Sequence, residues 1–160
     1  MKYQNGVGLM EVIVAMLLLG IAVLGFALLQ YRSLSMGEQA LRRIEAVSVA
    51  RNLSERMYFN RAGVYAGVIS TDTATCSGTS YCSATDFAKK DIADITKIAL
   101  SKGMIVAVLT CPDTKNLRNC IYVAWDETTA TQSDSDDHAC TNSSKFTYKP
   151  DAHCTVVEVF

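Results

Sequence analysis

Proline, cysteine and charge are each missing from a long part of this chain. Its 160 residues include only two prolines, and none lies before Pro112. Because proline breaks helices, this absence allows one continuous helix from Val7 to about Asn60. No cysteine occurs before Cys76. Catalytic motifs are absent too: there is no nucleophile elbow, phosphate-binding loop or dinucleotide fingerprint, so we expect neither an enzyme nor a cofactor.

A long stretch near the N-terminus lacks polar side chains altogether. The eighteen residues 12–29 contain none, and as a helix they are long enough to cross most of a bilayer core. Glu11 lies just inside the apolar stretch, where a charge costs roughly 2.5–3.5 kcal/mol near the bilayer centre and less towards its edge. A carboxylate that is kept at this cost needs a partner. The segment fits a secretory signal peptide poorly, because a signal peptide has a shorter apolar core that is followed by a small-residue cleavage site.

The segment around this carboxylate, MEVIVAMLLLG with the glycine and valine before it, resembles the start of type IV prepilins. In that family a short charged leader ends in glycine, a peptidase cuts after it, and the fifth residue of the mature chain is glutamate. Here Gly6 would end the leader, Val7 would become the methylated first residue, and Glu11 would be the fifth. The resemblance is closest to PilV-type minor pilins and to the I-type minor pseudopilins of type II secretion. It implies a leader at 1–6, a transmembrane and polymerisation segment at 7–29, and a head domain at 30–160.

The same resemblance implies a function and partners. It indicates a minor pilin of a type IV pilus that helps to prime assembly and forms part of the tip, with roles in twitching motility and adhesion. The expected partners are a prepilin peptidase, other minor pilins, the major pilin, an inner-membrane assembly platform and, at the tip, an adhesin. The chain would cross the bacterial inner membrane once, with its head in the periplasm, and would then join the pilus. Major pilins usually have a proline where this chain has Leu28, which favours a minor role.

Two other functions stay open. A minor pseudopilin of a type II secretion system shares the N-terminal pattern, although this head is large and rich in cysteine for the I-type. A DNA-uptake or ligand-binding pilin is the second alternative, because residues 30–61 hold six basic and three acidic side chains. The formal charge of -1 argues against bulk nucleic-acid binding. Residues 120–160 carry a net charge of -5, so neighbouring subunits could attract each other, or the charges could simply be solvated.

The cysteines lie in the second half of the chain. An even number beyond a membrane segment indicates an oxidising compartment and disulfide bonds. Fifteen pairings are possible, and pairing of sequence neighbours is the arrangement we favour. It would include a bond near the C-terminus, as many pilins have. The six are Cys76, Cys82, Cys111, Cys120, Cys140 and Cys154.

Metal binding is the alternative use of these side chains. His138, Cys140, His153 and Cys154 could form a site, but their spacing differs from that of known zinc sites, and thiols in this compartment usually oxidise. Calcium could bind the three aspartates of residues 134–137, but neither a glycine nor a terminal glutamate completes a loop motif. We therefore expect a solvated acidic turn and no metal. The aspartates are Asp134, Asp136 and Asp137.

Hydrophobic periodicity predicts an α+β fold, a long N-terminal helix packed on an antiparallel sheet of about four strands. This arrangement matches the type IV pilin fold that the resemblance implies. Beyond the membrane segment, apolar residues recur at every third position and would form a slanted ridge under the sheet. The ridge residues are Leu41, Ile44, Val47, Ala50 and Leu53, with Met57 next.

A second helix is predicted at 86–101, capped by Thr85 or Asp86 and ended by Gly103. Residues 104–111 and 120–126 predict a hairpin, and 145–149 and 154–160 predict two further strands. The polar segment 127–144 is expected to be a surface loop. The apolar side of the second helix would consist of Phe87, Ile92, Ile95 and Ile98.

Overall fold

The computed structural model describes residues 8–67, 76, 82–114 and 118–159. The chain divides into two compact units, Met1–Leu41 and Arg42–Phe160. Helix α1 (Leu9–Phe59) begins in the first unit and ends in the second, and its glycines do not interrupt it. The prediction of one long N-terminal helix is thereby confirmed. In the first unit every described side chain is exposed.

The second unit contains the end of α1, one further helix and five strands. Three strands form an antiparallel sheet in the order β1-β2-β5, and β3 and β4 form a separate parallel pair. The predicted α+β fold, a helix packed on an antiparallel sheet, is therefore present, although the sheet has three strands. The elements are α2 (Ala84–Ser101), β1 (Met104–Thr110), β2 (Asn119–Trp125), β3 (Thr129–Gln132), β4 (Ala139–Thr141) and β5 (Cys154–Val159).

The predicted hairpin is formed by β1 and β2. Met104 pairs with Trp125 at one end and Thr110 with Asn119 at the other. Strand β2 is buried along nearly its whole length because it is the central strand and both of its faces are covered. Its odd-numbered residues, such as Ile121 and Val123, belong to the core that includes the helices. Its even-numbered residues, such as Tyr122, belong to a second cluster on the other face.

The face of α1 that packs in this unit differs from the predicted ridge. Leu41, Ile44 and Val47 are exposed, so that part of the prediction is wrong. A repeat of three residues turns only 300° per step and drifts around a helix of 3.6 residues per turn, whereas alternating steps of three and four stay on one side. The buried residues follow the second pattern: Ala46, Val49, Ala50, Leu53 and Met57.

Helix α2 begins two residues earlier than predicted. Ser83 is the N-cap: its hydroxyl accepts a hydrogen bond from the Asp86 N–H at 3.2 Å, and the Asp86 carboxylate accepts one from the Ser83 N–H at 3.2 Å. This reciprocal capping box explains the start, and the expected cap at Thr85 or Asp86 is wrong. The bond from the Ser83 hydroxyl lowers the pKa of Asp86. Gly103, with φ of +69°, ends the helix as predicted.

The packed side of α2 is only partly the predicted one. Ile92 and Ile95 are buried, but Phe87 and Ile98 are about half exposed. Small residues take the places next to the core, because a helix that approaches a sheet closely has no room for a large side chain at every contact. The remaining buried residues of α2 are Ala88, Thr96 and Ala99.

The segment predicted as a surface loop, 127–144, contains two strands that cover the outer face of the sheet. Strands β3 and β4 are short, and all three residues of β4 are buried. The Tyr122 hydroxyl lies 3.2 Å from the Thr141 hydroxyl and links the two layers. The polar residues between the two strands give the segment the composition of a loop, so the sequence did not indicate the strands. Residues 145–149, predicted as a strand, make only an isolated bridge between Tyr148 and Thr141.

A buried phenol joins the end of α1 to α2. Tyr65 is only 2 % exposed and donates a hydrogen bond to an Asp91 carboxylate oxygen at 2.8 Å. Asn60 donates to the phenol oxygen at 3.2 Å, and Arg56 forms an ion pair with Asp91 at 3.1 Å. Burial and then the bond to Asp91 raise the pKa of Tyr65 from 10.0 to about 12. Nearby Gly63 has no space for a side chain, since a Cβ there would lie 2.8 Å from the Ala84 carbonyl oxygen.

This raised pKa predicts a loss of stability in alkali. The folded chain keeps the Tyr65 proton at a pH where the unfolded chain releases it, so the stabilisation is complete below about pH 10 and is lost as the pH rises to about 12. A shift of that size corresponds to roughly 2–3 kcal/mol in the free energy of unfolding. Tyr65→Phe should remove this part of the pH dependence, measured by urea unfolding of the full chain in detergent micelles. Tyr58→Phe, at an exposed position, is the matched control, and an unchanged alkaline slope in Tyr65→Phe would contradict the assignment.

Candidate functional site

The first candidate site is the apolar surface of the N-terminal part of α1. Leu9 is 77 % exposed and Leu24 72 % exposed, and no described residue of the first unit is buried. Within the described residues, this helix alone is long and apolar enough to span a membrane, by length and composition. Burying such a surface stabilises a protein by about 25 cal/mol per Å² of apolar area. An apolar surface of this size requires a cover of lipid or of other protein helices.

Glu11 lies in the first turn of α1. Its backbone N–H donates to the Gly8 carbonyl oxygen at 2.9 Å, and its side chain is exposed. The N-terminal end of a helix carries partial positive charge, which favours a carboxylate there. No salt bridge joins Glu11 to another residue that the structure describes. Gly6 and Val7, the predicted processing residues, lie outside the described residues.

The cysteines form three disulfide bonds between sequence neighbours. Cys111–Cys120 closes the β1–β2 turn, with Cα atoms 5.0 Å apart. Cys140–Cys154 ties β4 to the start of β5, with a Cα separation of 5.9 Å. Cys76–Cys82 joins two cysteines that are six positions apart in the sequence, and Cys82 directly precedes the Ser83 cap. Since the sulfurs of Cys140 and Cys154 are bonded to each other, they cannot serve as thiolate ligands of a metal.

In the acidic turn between β3 and β4, carboxylates accept hydrogen bonds from residues nearby in the sequence. The Asp134 carboxylate accepts hydrogen bonds from the Ser143 hydroxyl at 2.7 Å and from the Ser144 hydroxyl at 3.0 Å. The bond from Ser143, followed by those from Ser144, lowers the pKa of Asp134. Asp136 accepts from the His138 N–H at 2.9 Å. No group of metal-ligating side chains that could hold an ion occurs among the residues the structure describes. These aspartates therefore organise the turn.

A hollow of about 520 Å³ lies beside this turn. Its residues come from three separate segments, which is why sequence reasoning missed it, although the excess of acid in residues 120–160 was a signal. His153 lies 2.8 Å from an Asp126 carboxylate oxygen and stacks on Trp125 at 6.3 Å between ring centroids. Its described lining residues are negative overall and include no arginine or lysine. Its charged and titratable residues are Asp126, Glu127, Asp137, His138, Asp151 and His153.

Two protein-family models match the chain. The prokaryotic N-terminal methylation motif matches residues 1–27, which include Gly6, Val7 and Glu11. The family of the type IV pilin Tt1218 matches residues 28–93, from the middle of α1 into α2. No curated protein and no solved structure matches the chain.

These matches fix the general role of the apolar helix. The methylation motif indicates processing by a prepilin peptidase, and the exposed apolar helix indicates membrane anchoring followed by incorporation into a pilus. Pilins are in general structural proteins and not enzymes. The two matches adjoin, cover residues 1–93 between them and together indicate a type IV prepilin-like pilin.

Proposed function

We propose that this chain is a minor pilin, resembling the PilV type, that helps to prime a type IV pilus and forms part of its tip. The observation that supports this role most is the first half of α1, an uncovered apolar helix with one carboxylate in its first turn. Such a helix suits a protein that is held first by lipid and later by the helices of other subunits. Its proposed partners are a prepilin peptidase, other minor pilins, the major pilin, the assembly platform and a tip adhesin.

The proposed division of the chain follows from the processing motif. Residues 1–6 are a leader, residues 7–29 are the transmembrane and polymerisation segment, and residues 30–160 are a periplasmic head. Cleavage between Gly6 and Val7 would create a new amine on Val7, which the peptidase would methylate. The three disulfides support a periplasmic head, because such bonds persist in oxidising compartments.

Glu11 would act by selecting the position of the chain in the filament. The amine of a neighbouring subunit's first residue can face this carboxylate in a bundle of helices. A register that leaves the charge buried without a partner is penalised, so the pair selects one axial position more than it adds stability. The other apolar side chains discriminate little, because lipid tails are as apolar as leucine.

A minor role is supported by the absence of proline from the membrane segment. Leu28 occupies the place where major pilins usually have one, so α1 stays an unbroken helix of 51 residues. The charges of the second unit also differ along the chain. Arg43 and Arg51 lie exposed on α1, whereas residues 120–160 are acidic. Distinct charged surfaces suit a subunit that meets unlike neighbours.

The first prediction concerns processing. The chain should be cut between Gly6 and Val7, and the Val7 amine should carry a methyl group. Intact-mass measurement of the protein extracted from membranes would show this start and the added methyl mass. A Gly6→Leu variant, whose leader ends in a bulky side chain, should keep its leader. A wild-type chain that begins at any residue other than Val7 would overturn the processing assignment.

The second prediction concerns Glu11. Glu11→Val should leave membrane insertion and cleavage unchanged but should reduce the amount of this chain in sheared pili at least tenfold, because the neighbouring amine loses its partner. Glu38→Val, an exposed carboxylate farther along the same helix, is the matched control and should be incorporated normally. Incorporation of Glu11→Val at the wild-type level would refute the register argument.

The third prediction separates a priming subunit from a structural one and from a pseudopilin. Deleting the gene should lower the number of surface pili and abolish or weaken twitching, while purified pili contain only traces of this chain. Quantitative proteomics of sheared pili measures the ratio to the major subunit. A ratio near one would contradict the minor role. Normal pili with failed protein secretion would instead assign the chain to a type II secretion system.

A further inference from the structure

Strand β5 is an edge strand, and no other strand among the described residues pairs with its outer side. The Trp125 N–H donates to the His153 carbonyl oxygen at 3.0 Å, which fixes the odd-numbered residues 153–159 as those that bond to β2. Hydrogen bonding alternates along an antiparallel pair, so the N–H and C=O groups of Cys154, Val156 and Glu158 point away from the sheet. No backbone group in the described part of the chain bonds to them.

Among the described residues, one side chain forms a hydrogen bond to this edge. The Val156 N–H donates to the Tyr148 hydroxyl at 3.3 Å, and the Tyr148 ring is itself 40 % exposed. The opposite edge of the sheet is better covered. There the Val108 carbonyl accepts from the Gly67 N–H at 3.1 Å, and the Thr110 carbonyl accepts from the Gln132 side chain at 2.8 Å. The two edges therefore differ in how much of their hydrogen bonding is satisfied.

The usual devices that block an edge strand are missing from β5. Proteins commonly use proline, lysine, a bulge or a very short strand to prevent pairing with another chain. Strand β5 has six residues, CTVVEV, with no proline and no lysine, and its pairing with β2 is regular. Its one charge, Glu158, is engaged by Arg118 at 2.9 Å. The strand thus remains able to pair.

A groove of about 310 Å³ adjoins this edge; its lining is mostly apolar but includes Asp113 and Thr114. Val156 and Glu158 line it on the β5 side, and the buried Cys111–Cys120 disulfide lies at its base. Phe146 forms another wall and packs edge-on against Tyr148, with ring centroids 5.6 Å apart. Side chains of an added strand alternate between the two faces of the sheet, so every second one would point to the face that carries this groove.

We propose that the outer edge of β5 binds an extended peptide segment of a partner protein, which becomes the fourth strand of the sheet and places an apolar side chain in the groove. The occupant follows from the chemistry of the edge. Outward N–H and C=O groups that recur every second residue, about 7 Å apart, match the backbone of another strand and no helix. The Tyr148 hydroxyl covers the Val156 N–H until the segment binds, and the ring then moves aside. The groove supplies specificity, because the backbone bonds are independent of sequence.

The test uses the full chain in detergent micelles and a fluorescent peptide, KTVTVTVK, as the strand probe. A peptide of the same sequence, N-methylated on alternate amides, cannot form the edge hydrogen bonds but is equally apolar, and it controls for binding to the micelle. Val156→Pro removes the outward N–H of β5 and leaves its bonds to β2 in place. Tyr148→Phe removes only the hydroxyl that covers this N–H.

The expected result is saturable binding of the unmodified peptide, weakened at least tenfold both by N-methylation of the peptide and by Val156→Pro. Tyr148→Phe should bind it two- to fivefold more tightly. Equal binding of both peptides, or no saturation with Tyr148→Phe at millimolar peptide, would overturn the proposal. So would a dimer of this chain in sedimentation that Val156→Pro dissociates, because the occupant would then be a second copy. Since N-methylation changes only the probe, the test remains decisive even if Val156→Pro fails to fold.

Discussion

The uncovered apolar surface of the N-terminal helix is the constraint on which the rest of this protein depends. A helix whose first thirty or so residues bury nothing within the chain cannot exist alone in water, and each CH₂ group left there costs about 0.8 kcal/mol. Lipid covers this apolar surface before assembly, and the helices of other subunits cover it afterwards. Because the two covers are nearly equivalent, the chain can exchange one for the other. The second unit must then fold without help from this half of the helix, and its own core and three disulfides meet that requirement.

The second unit obtains its stability from two thin layers of side chains, one on each face of its three-stranded sheet. The inner layer consists of apolar side chains from α1 and α2, and the outer layer consists of small residues from β3 and β4. An outer layer of alanine, threonine and cysteine buries little area per residue. The disulfides compensate: Cys140–Cys154 ties β4 of the outer layer to β5 of the sheet, and Cys111–Cys120 closes the β1–β2 turn. Native disulfides typically contribute about 2–4 kcal/mol.

The sequence predicted the elements with strong local signals and missed those that depend on distant contacts. Helix α1 could be predicted from the absence of proline before Pro112 and from the apolar residues 12–29. The hairpin could be predicted from the valine-rich segments around the Cys111–Cys120 turn. Strand β4 was missed because ACT is neither long nor apolar, and only its burial under Tyr122 makes it a strand. The cap at Ser83 needed the reciprocal bond with Asp86. The hollow near His153 needed three segments brought together by the fold, which no local pattern contains. The expected spacing of Gly6, Val7 and Glu11 came from a family resemblance, which the methylation-motif match supports.

Polar groups carry the specificity that the apolar surfaces lack. Hydrophobic contact has no preferred direction, so an apolar helix in a bundle, or an apolar helix on a sheet, can slide at little cost. In the second unit, the Tyr65–Asp91–Arg56 network fixes where the end of α1 meets α2. Any shift would leave a buried phenol or a carboxylate without its hydrogen-bonding partner. In the first turn of α1, the carboxylate of Glu11 would serve the same purpose in the proposed filament. Glu11 costs energy wherever it lacks a partner, and that cost grows as water is excluded around it. In the filament that we propose, the residue that makes the helix less favourable in lipid is therefore the one that would define the axial position of the chain.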